Sequence, residues 1–175
     1  HRQCDHGKSF SDFAVLYRYN AQSRIIEEIF RRYDIRHRIY GGQSFYERKE
    51  IKDIIAYLRV VVNPGDDTSL SRIINTPKRG IGDTTISRME HEAHRIGEPL
   101  FNIVMEADNI EDIGRARSRV SEFASLMQLL VTYNEVMELD ELVKRVVDET
   151  GLRQQYVNEG TEEAISRVQN IDEFL

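Results

Sequence analysis

The sequence predicts a mainly α-helical protein that opens with a small βαβ piece holding two parallel strands. Three observations predict it. From residue 51 onward apolar residues recur at the spacing of a helix face. Before that, an apolar run, an amphipathic stretch and a second strand-like run follow one another within residues 11–41. Clusters containing Gly or Pro separate the segments, as at Asn63-Pro64-Gly65-Asp66 and Pro77–Gly82.

Residues 1–10 read as an irregular lead-in. Phe13-Ala14-Val15-Leu16-Tyr17 has the length of a buried strand. Ile25, Ile26, Ile29, Phe30 and Tyr33 then mark one face of a helix, and Arg36–Tyr40 reads as a second strand ended by Gly41-Gly42. Two strands cannot bury both faces of a parallel sheet, so residues 11–41 read as a piece of a larger α/β sheet.

Residues 42–175 read as a helical domain. Ile51, Ile54, Ile55, Leu58, Val61 and Val62 form the first stripe. Leu70, Ile73 and Ile74 mark a short helix, and Asp83 or Thr84 is placed to cap the next, which contains Ile86, Met89, Ala93 and Ile96. Pro99 suits the start of a helix over Leu100–Ala107. Phe123, Met127, Leu130, Tyr133 and Met137 line a long helix; Leu142, Val143, Val146 and Val147 line another, closed by Gly151. Ile165, Val168, Ile171 and Leu175 begin a last one, which can run past the end of the sequence.

With 40% hydrophobic and 31% charged residues, the chain can bury a core and reads as soluble. No apolar run approaches the roughly 18–20 residues that span a bilayer. One cysteine, Cys4, excludes an internal disulfide framework and suits a reducing cytosol. The net charge of −6 is uneven: residues 1–60 hold 12 Lys/Arg against 8 Asp/Glu, and residues 61–175 hold 12 against 22. A nucleic-acid contact would therefore use local basic patches in the N-terminal part and around Lys78-Arg79.

Gly7-Lys8-Ser9 matches only the tail of a phosphate-binding loop, with Arg2 where its first glycine belongs. His1, Cys4, Asp5 and His6 lack the second half of a zinc site. His91 and His94 lie three apart rather than four, so no metal site is expected. No catalytic constellation is visible. Two basic features remain. Arg48, Lys52 and Arg59 fall on one side of the predicted first long helix, with small Ala56 between the last two, and a stripe of that kind suits a phosphate backbone; a solvated face paired with Glu47, Glu50 and Asp53 is the alternative. Lys78-Arg79-Gly80-Ile81-Gly82 feeds a helix through a Gly-x-Gly turn, with Thr84, Thr85 and Arg88 behind it. Backbone amides and the positive end of a helix can hold an anion there, as can an ordinary capped turn without a ligand.

Four blocks carry a resemblance. They are Asp12–Arg24; Tyr40-Gly41-Gly42 with Phe45–Asp53 and Tyr57-Leu58-Arg59; Asn75–Gly82; and Ser166–Leu175. In this order they resemble the UvrD/Rep/PcrA branch of superfamily 1 DNA helicases. The resemblance implies that residues 11–41 begin motor domain 2A and that residues 42–175 form most of the helical 2B insertion, with Gly41 and Gly42 at the hinge. It implies single-stranded DNA contacts at Arg18 and Asn20. It also implies duplex contacts at Lys52, Arg59, Thr76, Lys78, Arg79, Gly80, Ile81, Gly82, Thr84 and Thr85, and Arg48 and Arg88, from the two basic features, complete the expected duplex set. ATP and Mg²⁺ belong to the parent helicase, a 3′-to-5′ enzyme of repair or replication. The motifs that would bind them are missing from this sequence, so the chain by itself is expected to hold no cofactor and to be inactive.

A second function class is a protein-interaction module using the acidic helical surface for an accessory protein. The expected partners are thus DNA, the remaining helicase domains and an accessory protein, in the bacterial cytoplasm near the nucleoid. An incomplete α/β piece is also expected to promote self-association.

Overall fold

Helices supply the regular structure because most segments can satisfy their backbone groups internally and bury one stripe. The computed structural model describes residues 8–18, 22–40, 44–107 and 110–175, and the chain divides into two units, residues 1–48 and 49–175.

The first unit is organised by α1 (Ser23–Arg32). Its buried Glu27 accepts hydrogen bonds from the Ser44 hydroxyl and, at 3.0 Å, from the Phe45 amide. Tyr46 donates to Glu28 at 3.0 Å, and the Arg31 guanidinium lies 4.9 Å from the Tyr46 ring centre. The expected βαβ piece is not formed. Residues 13–17 and 35–39 are irregular, and no strand occurs among the described residues. A parallel pair is stable only within a wider, covered sheet, and the first run, expected to be buried, leaves Leu16 94% exposed. The two runs and α1 instead line an open apolar groove of about 810 Å³ that includes Phe13, Val15, Ile26, Phe30, Ile35 and Ile39.

The second unit is built around α2 (Lys49–Val62). Helices α3 (Asp67–Ile73), α6 (Arg117–Val136), α7 (Leu139–Thr150) and α9 (Glu162–Phe174) all pack on it. α4 (Asp83–Ile96) and α5 (Leu100–Met105) lie outside this centre, and α8 (Leu152–Glu159) packs on α7 and α9. The stripe foreseen along α2 is wider in the fold: Tyr57 and Val60 are fully buried, while Val62 reaches solvent. Asp66 caps α3 by accepting from the Ser69 amide at 3.0 Å and hydroxyl at 2.7 Å, and Thr161 caps α9. The next cap differs from expectation. Gly82, not Asp83 or Thr84, is the N-cap of α4, and no side chain closes that end.

A helix packed on so many sides must place its polar residues inside as well. Asn170 of α9 donates to the buried Glu50 carboxylate at 2.6 Å. Asp53 is 1% exposed and pairs with Arg72 at 2.7 Å, but its other oxygen, Oδ2, is buried with no partner among the described residues. Burial pushes the Asp53 carboxyl above its ordinary range against the pull of Arg72.

A carboxyl raised in the folded state binds its proton more tightly there than when unfolded. Its contribution favours the fold at acid pH and is lost as pH rises through the folded-state value. Removing the guanidinium raises it further. Arg72→Met is therefore expected to unfold close to the parent at acid pH and to fall behind it as pH approaches neutrality. The neutral-pH deficit should be about 2 kcal/mol, below that of a fully buried pair because Arg72 is 39% exposed. Urea unfolding across pH measures this; a deficit independent of pH would show that Asp53 is not its source.

Candidate nucleic-acid interface

The segment between α3 and α4 alternates in direction. Lys78, Gly80 and Gly82 are exposed, Arg79 is half-buried, and Ile81 is fully buried. Ile81 is thus a core anchor rather than a contact residue. Its apolar side chain, flanked by two glycines, is drawn under the turn.

Asn75 shapes the turn. Its Oδ1 accepts from the Arg79 amide at 2.8 Å and the Ile81 amide at 3.3 Å, as a short polar side chain at a turn can. Arg79 points inward. Its guanidinium donates to the carbonyls of Ile73 at 3.3 Å, Pro77 at 3.2 Å and Thr150 at 3.5 Å, and lies 5.2 Å from the Phe123 ring centre. An arginine expected to meet DNA instead ties the turn to α6 and α7. Tyr57 of α2 donates to the Thr76 carbonyl at 2.6 Å, and burial pushes its hydroxyl up to about 12, so it stays a donor. The Thr76 hydroxyl is turned back to the Arg72 carbonyl at 3.1 Å.

What remains outward is Lys78, Gly80, Gly82, the acidic Asp83, Thr84, the half-buried Thr85 and the exposed Arg88. The first helical bonds of α4 run from the Thr85 and Ile86 amides to the Gly82 carbonyl at 2.9 and 3.1 Å, so the amides just before them lie at the open end of the helix. Full and partial positive charges therefore share one exposed surface, which can hold an anion through charge and amide donors without recognising what the anion is attached to.

The second basic feature is not continuous. Arg48 precedes α2 in an extended conformation and is 7% exposed, donating to Ser23 at 3.0 Å with its guanidinium 5.1 Å from the Phe45 ring centre. It is a packing residue of the first unit. Ala56, expected as a gap in a surface stripe, is buried because α2 is central. Lys52 stays half-buried and Arg59 exposed. Arg18 is exposed, its amide donating to Gln22 at 3.1 Å. Asn20, Gly41, Gly42 and the N-terminal His1, Cys4, Asp5 and His6 lie outside the described residues. Among those described, no group of three or more His, Cys, Asp and Glu could hold a metal.

The family profile of the UvrD-like helicase C-terminal domain matches residues 1–174. The chain belongs to this UvrD-like helicase family. It is 41% identical over 169 residues to the ATP-dependent DNA helicase PcrA of Staphylococcus aureus (strain NCTC 8325 / PS 47). The same identity holds over the same length with the ATP-dependent DNA helicase PcrA of Staphylococcus epidermidis (strain ATCC 12228 / FDA PCI 1200). Each alignment takes in 97% of this chain, which spans only 23% of those relatives' length.

In this UvrD-like domain the residues that sequence reasoning missed are the supports: Asn75, Tyr57 and Arg119, which donates to the Gly80 carbonyl at 2.9 Å from the start of α6. An asparagine opening a Pro/Gly turn was a readable signal, and Tyr57 stood in a block of the resemblance without a role assigned to it; Arg119, remote in sequence, gave none.

Asn75→Ala releases two turn amides, and Arg79→Ala strips donors from three carbonyls. Each is expected to lower the unfolding free energy by about 1–3 kcal/mol. Lys78→Ala, at an exposed site, should stay within about 0.5 kcal/mol of the parent. Urea titration of the three variants checks the order; equal losses would mean that Lys78 is also a support.

Proposed function

We propose that the helical unit grips duplex DNA by its phosphates, as the regulatory part of an ATP-dependent 3′-to-5′ helicase acting in repair or replication. The observation that carries this reading is the braced turn: Asn75, Arg79 and Ile81 face inward while Lys78 and the open end of α4 face out. Such a surface suits phosphates rather than bases, so binding should be independent of sequence. Thr84, Thr85 and Arg88 extend it, and Lys52 and Arg59 offer charge on α2. Arg18 and Asn20 would meet the single strand, and rotation would occur about Gly41 and Gly42. ATP and Mg²⁺ would be held by other parts of such a motor, and the same parts would cover the apolar groove of the first unit. Left uncovered, that groove favours self-association.

A second reading has its own observation. At the α6–α7 corner Val136 and Leu139 are 76% and 69% exposed, with Glu135, Glu138, Asp140 and Glu141 beside them in the sequence. An accessory protein with a basic, apolar face would fit there.

Salt separates the two readings. Phosphate binding weakens with a log–log slope near −0.9 per phosphate neutralised, and an apolar contact weakens far less. The variant to compare is Gly82→Asp. A Cβ at Gly82 meets nothing within 4 Å, and aspartate is a favoured N-cap. Its carboxylate would occupy the open amides of α4 and repel phosphate. Gly82→Asp is therefore expected to raise the unfolding midpoint slightly while weakening duplex binding about tenfold or more in fluorescence anisotropy, with Lys52→Ala/Arg59→Ala reducing the slope. A stabilised Gly82→Asp protein that binds duplex like the parent would remove α4 from the interface.

A further inference from the structure

We infer that Arg119 is a further contact to the DNA backbone, on the same surface as the turn; this rests on the phosphate-grip reading above. Arg119 lies in the first turn of α6, far from the Lys78–Gly82 segment in sequence, and its side chain is exposed. Its Nη1 donates to the Gly80 carbonyl at 2.9 Å. The approach is so close that a Cβ on residue 80 would stand 2.6 Å from Nη1 and 3.0 Å from Cζ. Residue 80 also has a φ of +73°, so glycine serves twice: it adopts the left-handed backbone and leaves the room the guanidinium fills.

The chemistry of that bond matters. Arg95, Arg153 and Arg167 are each paired with a carboxylate: Glu92, Asp172 and Glu163. Among the described residues Arg119 instead has a neutral carbonyl as its partner. A carbonyl fixes the position of the guanidinium without cancelling its charge. A guanidinium carries five N–H donors in a rigid fork, so donors remain on an exposed side chain for a second, anionic acceptor. The Gly80 bond also holds a long side chain that would otherwise have to be ordered on binding. The ligand class that fits is a phosphodiester group lying against the turn, contacted by Arg119 at Gly80 and by the exposed Lys78 two residues earlier in the sequence.

The test uses the 175-residue chain and a duplex with a 3′ single-stranded tail, followed by fluorescence anisotropy over a range of NaCl concentrations. Arg119→Ala should make the log–log salt slope shallower by about 0.9, equivalent to about eightfold weaker binding at 0.1 M salt relative to 1 M. Arg119→Lys should keep the slope, because the charge remains. Both variants should remain folded, with the unfolding midpoint of Arg119→Ala slightly below the parent's because the bond to the Gly80 carbonyl is lost. An Arg119→Ala slope equal to the parent's overturns the inference, whether or not affinity falls, since a purely structural brace changes affinity without changing the number of phosphates neutralised. If the parent itself shows no salt-dependent duplex binding, the phosphate-grip reading fails and takes this inference with it. A steep parent slope retained in Arg119→Ala defeats the inference alone.

Discussion

The Tyr57 hydroxyl donates to the Thr76 carbonyl at 2.6 Å, and through this bond the central helix α2 fixes the turn between α3 and α4. α2 is packed by α3, α6, α7 and α9, so Tyr57 cannot tilt without disturbing four neighbours. Arg79 repeats the connection from the other side. It lies over rings on α2 and α6 and reaches a carbonyl at the end of α7. The turn is therefore a surface projection of the core, which holds its outward groups in place.

That arrangement explains which features could be read in advance. The helices α6, α7 and α9 were legible because each buries a stripe at regular spacing, and α7 closes where Gly151 stands. The turn around the Gly-x-Gly sequence was legible as a break between two helices. The direction of its side chains was not. Lys78 and Arg79 are neighbours of like charge, and one points to solvent while the other is held among carbonyls and aromatic rings. Composition cannot separate them; only the positions of Asn75, Phe123 and Thr150 do. The stripe along α2 failed for a related reason. Periodicity marks one apolar face, whereas a central helix is covered on several, so Ala56 is buried and the basic residues do not form a continuous row.

The first unit shows the opposite limit. Phe13–Tyr17 and Arg36–Tyr40 have strand composition, but a strand is a relation between segments rather than a property of one. Without a ladder the two runs remain irregular walls of an apolar groove. The chain spans only 23% of the length of the UvrD-like relatives it matches, and among the described residues of the first unit no ladder joins these segments.

The corner between α7 and α8 is a single residue. Gly151, at φ +73°, ends one helix and begins the next, and its amide bonds back to Asp148 at 3.2 Å while its carbonyl accepts from Gln155 at 3.0 Å. A junction with no spacer has no slack. Adding one residue there would rotate α8 by about 100° about its axis and carry buried Leu152 and Tyr156 off the core. Because α8 packs on both α7 and α9, the fold admits no change of length at this elbow.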